Sequence, residues 1–470
     1  MNVAITMFFS SISQPERPVT PTPSFILTDT GSTLEPSLPE VGFTLARTLD
    51  KRLNNLKQSV GENHPDIIKT LESLGDACLA NEDYDAAFQY YTQGLESSKT
   101  AFPPNHPRCA DFLCCLGNVS LKKSMHKDSR SSFEAALKEY RNSLSDLSWI
   151  TEKDGKAKDV EYRYEVQHKI ITTLASLGSI AFVQKNYNES IKIYNDALSQ
   201  AKLAAVTAAT ADLSNERKGP KLLKEARVCV SEMFSNIASS CAEKGDRTGA
   251  IQNYNCALAL QMSELGEDHK SVACTLHNIG TMHFRSAEYQ LALKSYKQVL
   301  KMRRFLFGNN DFRIAEVLVN IGTVHEKAEE VERAVAALNA AIRITSKHYG
   351  EKSVACAKIH TQLGSLYARS NCNDLAMEQY NIALEAYRKS GMDENDIAIK
   401  SIKDSICFVE QSKNNEESLD GFLSATEAWS KIFGGGCGSI CLPNKNEKVW
   451  DTIDMQIAPP LSSNSSLVSV

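Results

Sequence analysis

The stretch Gly266–Ala292, GEDHKSVACTLHNIGTMHFRSAEYQLA, holds the punctuation from which the rest of the chain can be read. Leu276 and Gly280 stand one helical turn apart, and a second small residue, Ala292, returns twelve positions after the glycine. Tyr296 follows four positions later and Val299 three after that. Apolar positions spaced by three and four residues mark one face of a helix. Here two such faces follow one another, so the stretch predicts the first helix of a hairpin and the start of the second.

Moving outward, the same signature recurs. Leu74-Gly75, Leu116-Gly117, Leu177-Gly178, Ile237-Ala238, Ile279-Gly280, Ile321-Gly322 and Leu363-Gly364 are separated by steps of 42, 61, 60, 42, 42 and 42 residues between their small members. The two long steps are one period plus insertions of 19 and 18 residues. Four positions before the small residue stand Leu71, Leu113, Leu174, Phe234, Leu276 and Leu318, with His360 the exception. Twelve positions after it come Ala87, Ser129, Ser190, Ala250, Ala292, Ala334 and Ala376, and sixteen after it Tyr91, Phe133, Tyr194, Tyr254, Tyr296, Leu338 and Tyr380. Nineteen after it lie Gly94, Ala136, Ala197, Ala257, Val299, Ala341 and Ala383, mostly too small to hold neighbouring helices apart. Gly266, Gly308 and Gly350 repeat at the same step, where positive φ closes the last turn of a second helix.

One hairpin cannot bury its apolar face alone, so the pattern predicts an all-α fold: an α-solenoid of about seven 42-residue helical hairpins whose first helices line a concave surface. Residues 41–60 and 396–410 are expected to be capping helices, and the insertions around 138–165 and 203–226 to lengthen second helices. Six of the 14 prolines lie between Pro15 and Pro39, three follow Leu442, and only Pro220 interrupts the span from Arg108 to Leu442. Three regions follow: a disordered Pro/Ser/Thr-rich segment over 1–40, the repeat superhelix over 41–410, and a tail over 411–470 with a short helix near 417–433 and a disordered end.

Composition narrows the function. Hydrophobic residues make up 42% of the 470, enough for a large core, and 52 basic against 57 acidic residues give a net charge of −5. That balance lacks the basic excess by which proteins release counter-ions from nucleic acid, so no nucleic-acid partner is expected. No stretch reads as the roughly 20 apolar residues that cross a bilayer, so no membrane insertion is expected. The 13 cysteines are scattered through amphipathic segments, which suits a reducing, cytoplasmic setting without disulfides.

The Leu-Gly pair, the Ala and Tyr offsets and the terminal Ala resemble the tetratricopeptide repeat. The 42-residue step is longer than that family's usual one and resembles the variant found in kinesin light chains; His64-Pro65, His106-Pro107 and His269 at the turns, and the 266–292 string, agree. The resemblance covers about 65–390 and implies a protein-interaction repeat domain. Kinesin light chains carry a long heptad coiled coil ahead of the repeats, whereas Val41, Phe43, Leu45, Leu49, Leu53, Leu56 and Val60 make fewer than three heptads.

Candidate contacts come from repeated addresses. Two positions before the small residue stand Asn236, Asn278, Asn320 and Gln362, a row of carboxamides able to donate to and accept from the backbone of an extended peptide. The same side chains could instead tie adjacent hairpins together. The resemblance implies that Asn at this address lines the groove. Five positions after the small residue, Arg285, Lys327 and Arg369 form a basic row, which favours an acidic ligand, although cations also suit the end of a helix. Kinesin light chains bind short motifs in which a Trp is flanked by acids, so the resemblance implies a similar ligand class. His277 and Phe284 add to the same face, while Glu316 and Glu326 oppose a uniformly acidic peptide.

Other signals point to packing. His283 and His325 share an address, but neighbouring helices about 8–10 Å apart cannot share metal bonds near 2 Å, so both are expected to be buried between helices. Cys114 and Cys115 read as core. The glycine-rich string Phe433–Cys441 reads as a linker. With no Walker, HExxH, GxSxG or paired CxxC pattern, neither an enzyme nor a metal or cofactor is expected.

The expected function is therefore a protein-protein interaction adaptor binding extended, acidic peptide segments of partner proteins in the groove. Two alternatives stand beside it: a cargo-binding kinesin light chain-like subunit partnered by a heavy chain, and a self-associating or autoinhibited scaffold in which the tail around Trp429 occupies the groove.

Overall fold

The computed structural model describes residues 39–60, 64–145, 155–212 and 219–418. The segment before Pro39, the tail beyond Ser418 with Trp429, and the Phe433–Cys441 string lie outside these residues. The described residues form helices joined by turns and contain no strand. The chain divides into a first unit through Lys403 and a second from Asp404. Of the second, only the helical residues 404–418 are described.

In the first unit a leading helix α1 (Pro39–Val60) precedes seven hairpins. Repeat 1 is α2 (Pro65–Ala80) and α3 (Tyr84–Ala101), repeat 2 is α4 (Arg108–Lys122) and α5 (His126–Ser145), and repeat 3 is α6 (Gly155–Val183) and α7 (Tyr187–Asp212). Repeat 4 is α8 (Gly219–Lys244) and α9 (Arg247–Leu265), repeat 5 is α10 (Lys270–Arg285) and α11 (Tyr289–Phe307). Repeat 6 is α12 (Phe312–Lys327) and α13 (Val331–Tyr349), and repeat 7 is α14 (Val354–Arg369) and α15 (Asn373–Lys389), followed by α16 (Ile397–Ser418). From α1 to α15 each helix packs on the next in sequence, which is the contact pattern of an α-solenoid.

In five of the repeats the glycine of the first helix admits a ring. A Cβ on Gly75 would come within 2.3 Å of the Tyr91 ring, and one on Gly178 within 2.6 Å of Tyr194. The same intrusion occurs at Gly280 under Tyr296 and at Gly364 under Tyr380. The ring then hydrogen-bonds back: Tyr194 to Ser179 and Tyr254 to Ser239 at 2.9 Å, Tyr296 to Thr281 at 3.0 Å and Tyr380 to Ser365 at 3.1 Å. Close approach and a satisfied hydroxyl together fix each hairpin. The small residues of the second helices, Ala87, Ala136, Ala197, Ala257 and Ala292 among them, are fully buried.

Helix ends follow from local chemistry. His64 and His269 cap α2 and α10 by accepting on Nδ1 from the N–H of Asp66 at 3.3 Å and of Ser271 at 3.1 Å, while Asp311 caps α12 and Ser353 caps α14. Gly266, Gly308 and Gly350 close the second helices at φ +89°, +79° and +89°. The turn inside each hairpin has a second left-handed position, seven residues after the small residue: Glu82, Ser124, Lys185, Gly245, Ala287, Glu329 and Asn371. In each of these turns the N–H after that residue reaches back five residues to a carbonyl of the first helix, as Glu288 does to His283 at 2.9 Å.

Two expectations need correction. The insertions lengthen first helices as well as second ones: α6 has 29 residues and α8 has 26, against 15 or 16 in the first helices of repeats 1, 2, 5, 6 and 7. Of the second helices, α7 reaches 26 residues, while α5 has 20. The reason is mutual burial: Tyr164 and Val166 of α6, Ala204 and Ala208 of α7 and Ala226 of α8 share one core. Second, Val160–Val183 is long and apolar enough to cross a membrane by composition, but most of its apolar stretch is buried within the protein, as befits a core helix.

Candidate peptide-binding wall

The first helices α8, α10, α12 and α14 carry the repeated addresses, and their side chains join from one repeat to the next, so together they make one wall. The four carboxamides divide into two pairs. Asn236 on α8 and Asn278 on α10 are half-buried, and among the described residues their side chains have no hydrogen-bond partner. Asn320 on α12 is buried, and its Nδ2 lies 3.1 Å from Nε2 of His277 on α10. Gln362 on α14 donates through Nε2 to Thr323 Oγ1 at 2.7 Å and to Glu326 Oε2 at 3.4 Å.

The second pair therefore ties repeats together, where exposure was expected. For Gln362 the cause lies one helix away. Repeat 6 has Leu338 where four other repeats have a tyrosine bonded to the equivalent Ser or Thr, so the Thr323 hydroxyl is left for Gln362. His277 is likewise buried, 4% exposed, against the Tyr296 ring. Burial, with Arg303 nearby, pushes its pKa down to about 3, so it is neutral. With Asn320 donating to Nε2, the ring proton sits on Nδ1, which has no partner.

The basic row is mostly neutralised. Arg285 pairs with Glu243 of the preceding repeat at 3.3 Å, and Arg369 pairs with Glu326 of the preceding repeat. Only Lys327 of this row is exposed without an ion pair among the described residues. The expectation of a row of available cations for an acidic ligand is thus corrected to one. Glu316 is also engaged: buried Arg303 of α11 donates to its Oε2 at 3.2 Å and to the Arg313 carbonyl at 2.6 Å. Phe284 is half-buried, its ring 6.2 Å from Tyr289 of the same hairpin. A cavity of 570 Å³ opens at the turns of repeats 5 and 6 between Tyr289, Leu291, Lys327 and Glu330.

His283 and His325 act within their own hairpins. Each brings Nδ1 to 2.5 Å from a carboxylate, Glu288 and Glu330, at the start of the following helix. His325 is buried as expected, and His283 is half-buried. Among the described residues no three metal-ligating side chains converge. Cys114 is half-buried, with Sγ 3.3 Å from Thr173 Oγ1 of the next repeat. One wall residue escaped the sequence reading: Glu232 on α8, one turn before Asn236. Its only signal was the address it shares with Glu316, six positions before the small residue.

Comparison with known proteins places tetratricopeptide repeats at residues 229–304 and 313–389 and another at 68–100. No curated protein matches the chain by sequence. Among solved structures, BtubC (BKLC) from P. vanneervenii is similar at 17% identity and a TM-score of 0.41, over 56% of this chain and 94% of that one. The apo form of RapI is similar at 12% identity and 0.41, over 69% and 98%. Kinesin light chain TPR-like repeats, nearly identical to one another, from Podosopora anserina are similar at 11% identity and 0.35, over 50% and 98%.

Proposed function

We propose that this tetratricopeptide-repeat solenoid is an adaptor that holds extended peptide segments of partner proteins against its first helices, chiefly in repeats 4 and 5. Tetratricopeptide repeats are protein-interaction scaffolds in general, and that much follows from the repeats themselves. The observation that carries the finer reading is the pair Asn236 and Asn278, at one address on successive first helices, half-buried and without hydrogen-bond partners among the described residues. Asn320 and Gln362, at the same address, spend their amides on the fold. A carboxamide with free donor and acceptor matches the alternating N–H and C=O of an extended chain.

The test is a comparison of wild type with an Asn236→Ala, Asn278→Ala variant on a displayed-peptide library and in pull-downs read by mass spectrometry. Because neither side chain ties helices together, the variant should keep its helicity and melting temperature while losing about tenfold or more in peptide affinity. Undiminished binding would move the function away from this wall. A kinesin heavy chain among the recovered proteins would favour the light-chain reading that the 42-residue period suggests.

A further inference from the structure

We infer that the wall at the junction of repeats 3 and 4 carries a site for a cationic side chain, Lys or Arg, of the bound peptide, with Glu232 as its counter-ion; the inference rests on the peptide-binding reading above. Glu316 and Glu232 occupy one address, six positions before the small residues Gly322 and Ala238. Glu316 is satisfied by Arg303, which stands 23 positions after the small residue of the preceding repeat. The equivalent position before Glu232 is Ala201, fully buried and ending at its Cβ. The cation at this address in one junction is missing from the other, where the neighbouring Lys202 Nζ lies over the Phe234 ring at 5.8 Å.

Glu232 accordingly has no hydrogen bond or ion pair among the described residues. No charged neighbour acts on it, and burial alone pushes its carboxyl up to about 8. A carboxyl withdrawn from water without a partner keeps its proton near neutral pH, and a cation placed beside it favours the charged form, so the proton leaves as the cation binds. A second observation comes from the extra turns of α6, where the Tyr164 hydroxyl and Gln167 Oε1 are buried with no hydrogen-bond partner. Tyr164 shares one core with Cys229, Val230 and Met233, the stretch of α8 that holds Glu232. A guanidinium or ammonium supplies the donors that the Glu232 carboxyl lacks. Of the wall's cations, Arg285, Arg303 and Arg369 are already held by Glu243, Glu316 and Glu326, which leaves Lys327 of repeat 6 for an acidic ligand.

Two synthetic pools of extended peptides serve as probes, equal in length and built from Ala, Ser and Asn, one carrying a single Lys or Arg and the other a single Asp or Glu. Each is passed over the full chain, over Glu232→Gln and over Asn278→Ala. Wild type should retain the basic pool about tenfold better than the acidic one, and Glu232→Gln, with unchanged helicity, should bring the two to parity. Asn278→Ala should lower both pools alike. Ala201→Arg, if folded, should mimic Arg303 and also abolish the preference. Equal retention by wild type, a preference for the acidic pool, or a basic preference that survives Glu232→Gln would overturn the cation site while leaving peptide binding intact. Retention of neither pool would overturn both readings.

Discussion

A single side chain in this protein takes its role from what faces it in the next repeat. Asn278 and Asn320 are the same residue at the same address, yet Asn320 meets His277 and is buried, whereas Asn278 has no partner among the described residues. The candidate row was legible in the sequence because its address repeats; which members serve the fold was not, because that depends on Leu338 lacking a hydroxyl and on His277 facing Asn320 from another repeat. His277 also makes stability depend on pH. Its folded pKa lies below the unfolded value, so the unfolded chain binds the extra proton as pH drops through about 6.5. Stability is thus full above that value and is lost progressively below it. Urea unfolding at pH 7.5 and pH 5 should show wild type losing about 2 kcal/mol more than His277→Gln on acidification.

At the scale of the element, the hairpin was almost wholly readable. Gly75, Gly178, Gly280 and Gly364 predicted close helix approach, and the rings of Tyr91, Tyr194, Tyr296 and Tyr380 occupy the space that a Cβ would need. Gly266, Gly308 and Gly350 predicted where second helices stop. The left-handed residue inside each hairpin was invisible, because Glu82, Ser124, Lys185, Ala287 and Glu329 are not types that announce positive φ; only Gly245 and Asn371 are. The backbone hydrogen bonds around the turn, with His283–Glu288 and His325–Glu330 clipping two of them, hold these residues there. At Ala287, φ is +60° and the side chain is exposed, so Ala287→Gly should relieve the strain and raise stability by about 1 kcal/mol, measurable as a higher urea midpoint. An unchanged or lower midpoint would mean that the turn carries no such strain.

Across the first unit, burial is uneven along the chain. One continuous core runs from Ala110 to Met282, drawing on repeats 2 to 5, and the insertions thicken it through Tyr164, Ala204, Ala208 and Ala226. Repeat 1 relies on smaller groupings around Ile68, Tyr91 and Phe112 and around Leu53, Ile67 and Leu71. Insertions that the sequence marked only by charge and alanine turn out to reinforce the middle, because the three lengthened helices bury one another. In a stack where each repeat contacts only its neighbours, local opening follows local burial. Amide hydrogen exchange should therefore be slowest in α6, α7 and α8 and at least about tenfold faster in α2 and α3. Uniform rates along the stack would contradict a centrally reinforced core.

The tyrosine that folds back onto the first helix has one more consequence. Because the same contact is built again and again within one chain, the protein contains its own mutational series, under identical solvent and temperature. Phe133 is the hydroxyl deletion, and beside it Asn118 Oδ1 is buried without a partner. Leu338 deletes the whole ring, and there the neighbouring Thr323 is recruited by Gln362 from the following hairpin. Removing the phenol thus has two outcomes already written in the molecule, an orphaned amide in one place and a new inter-repeat tie in another, and the surrounding residues decide between them.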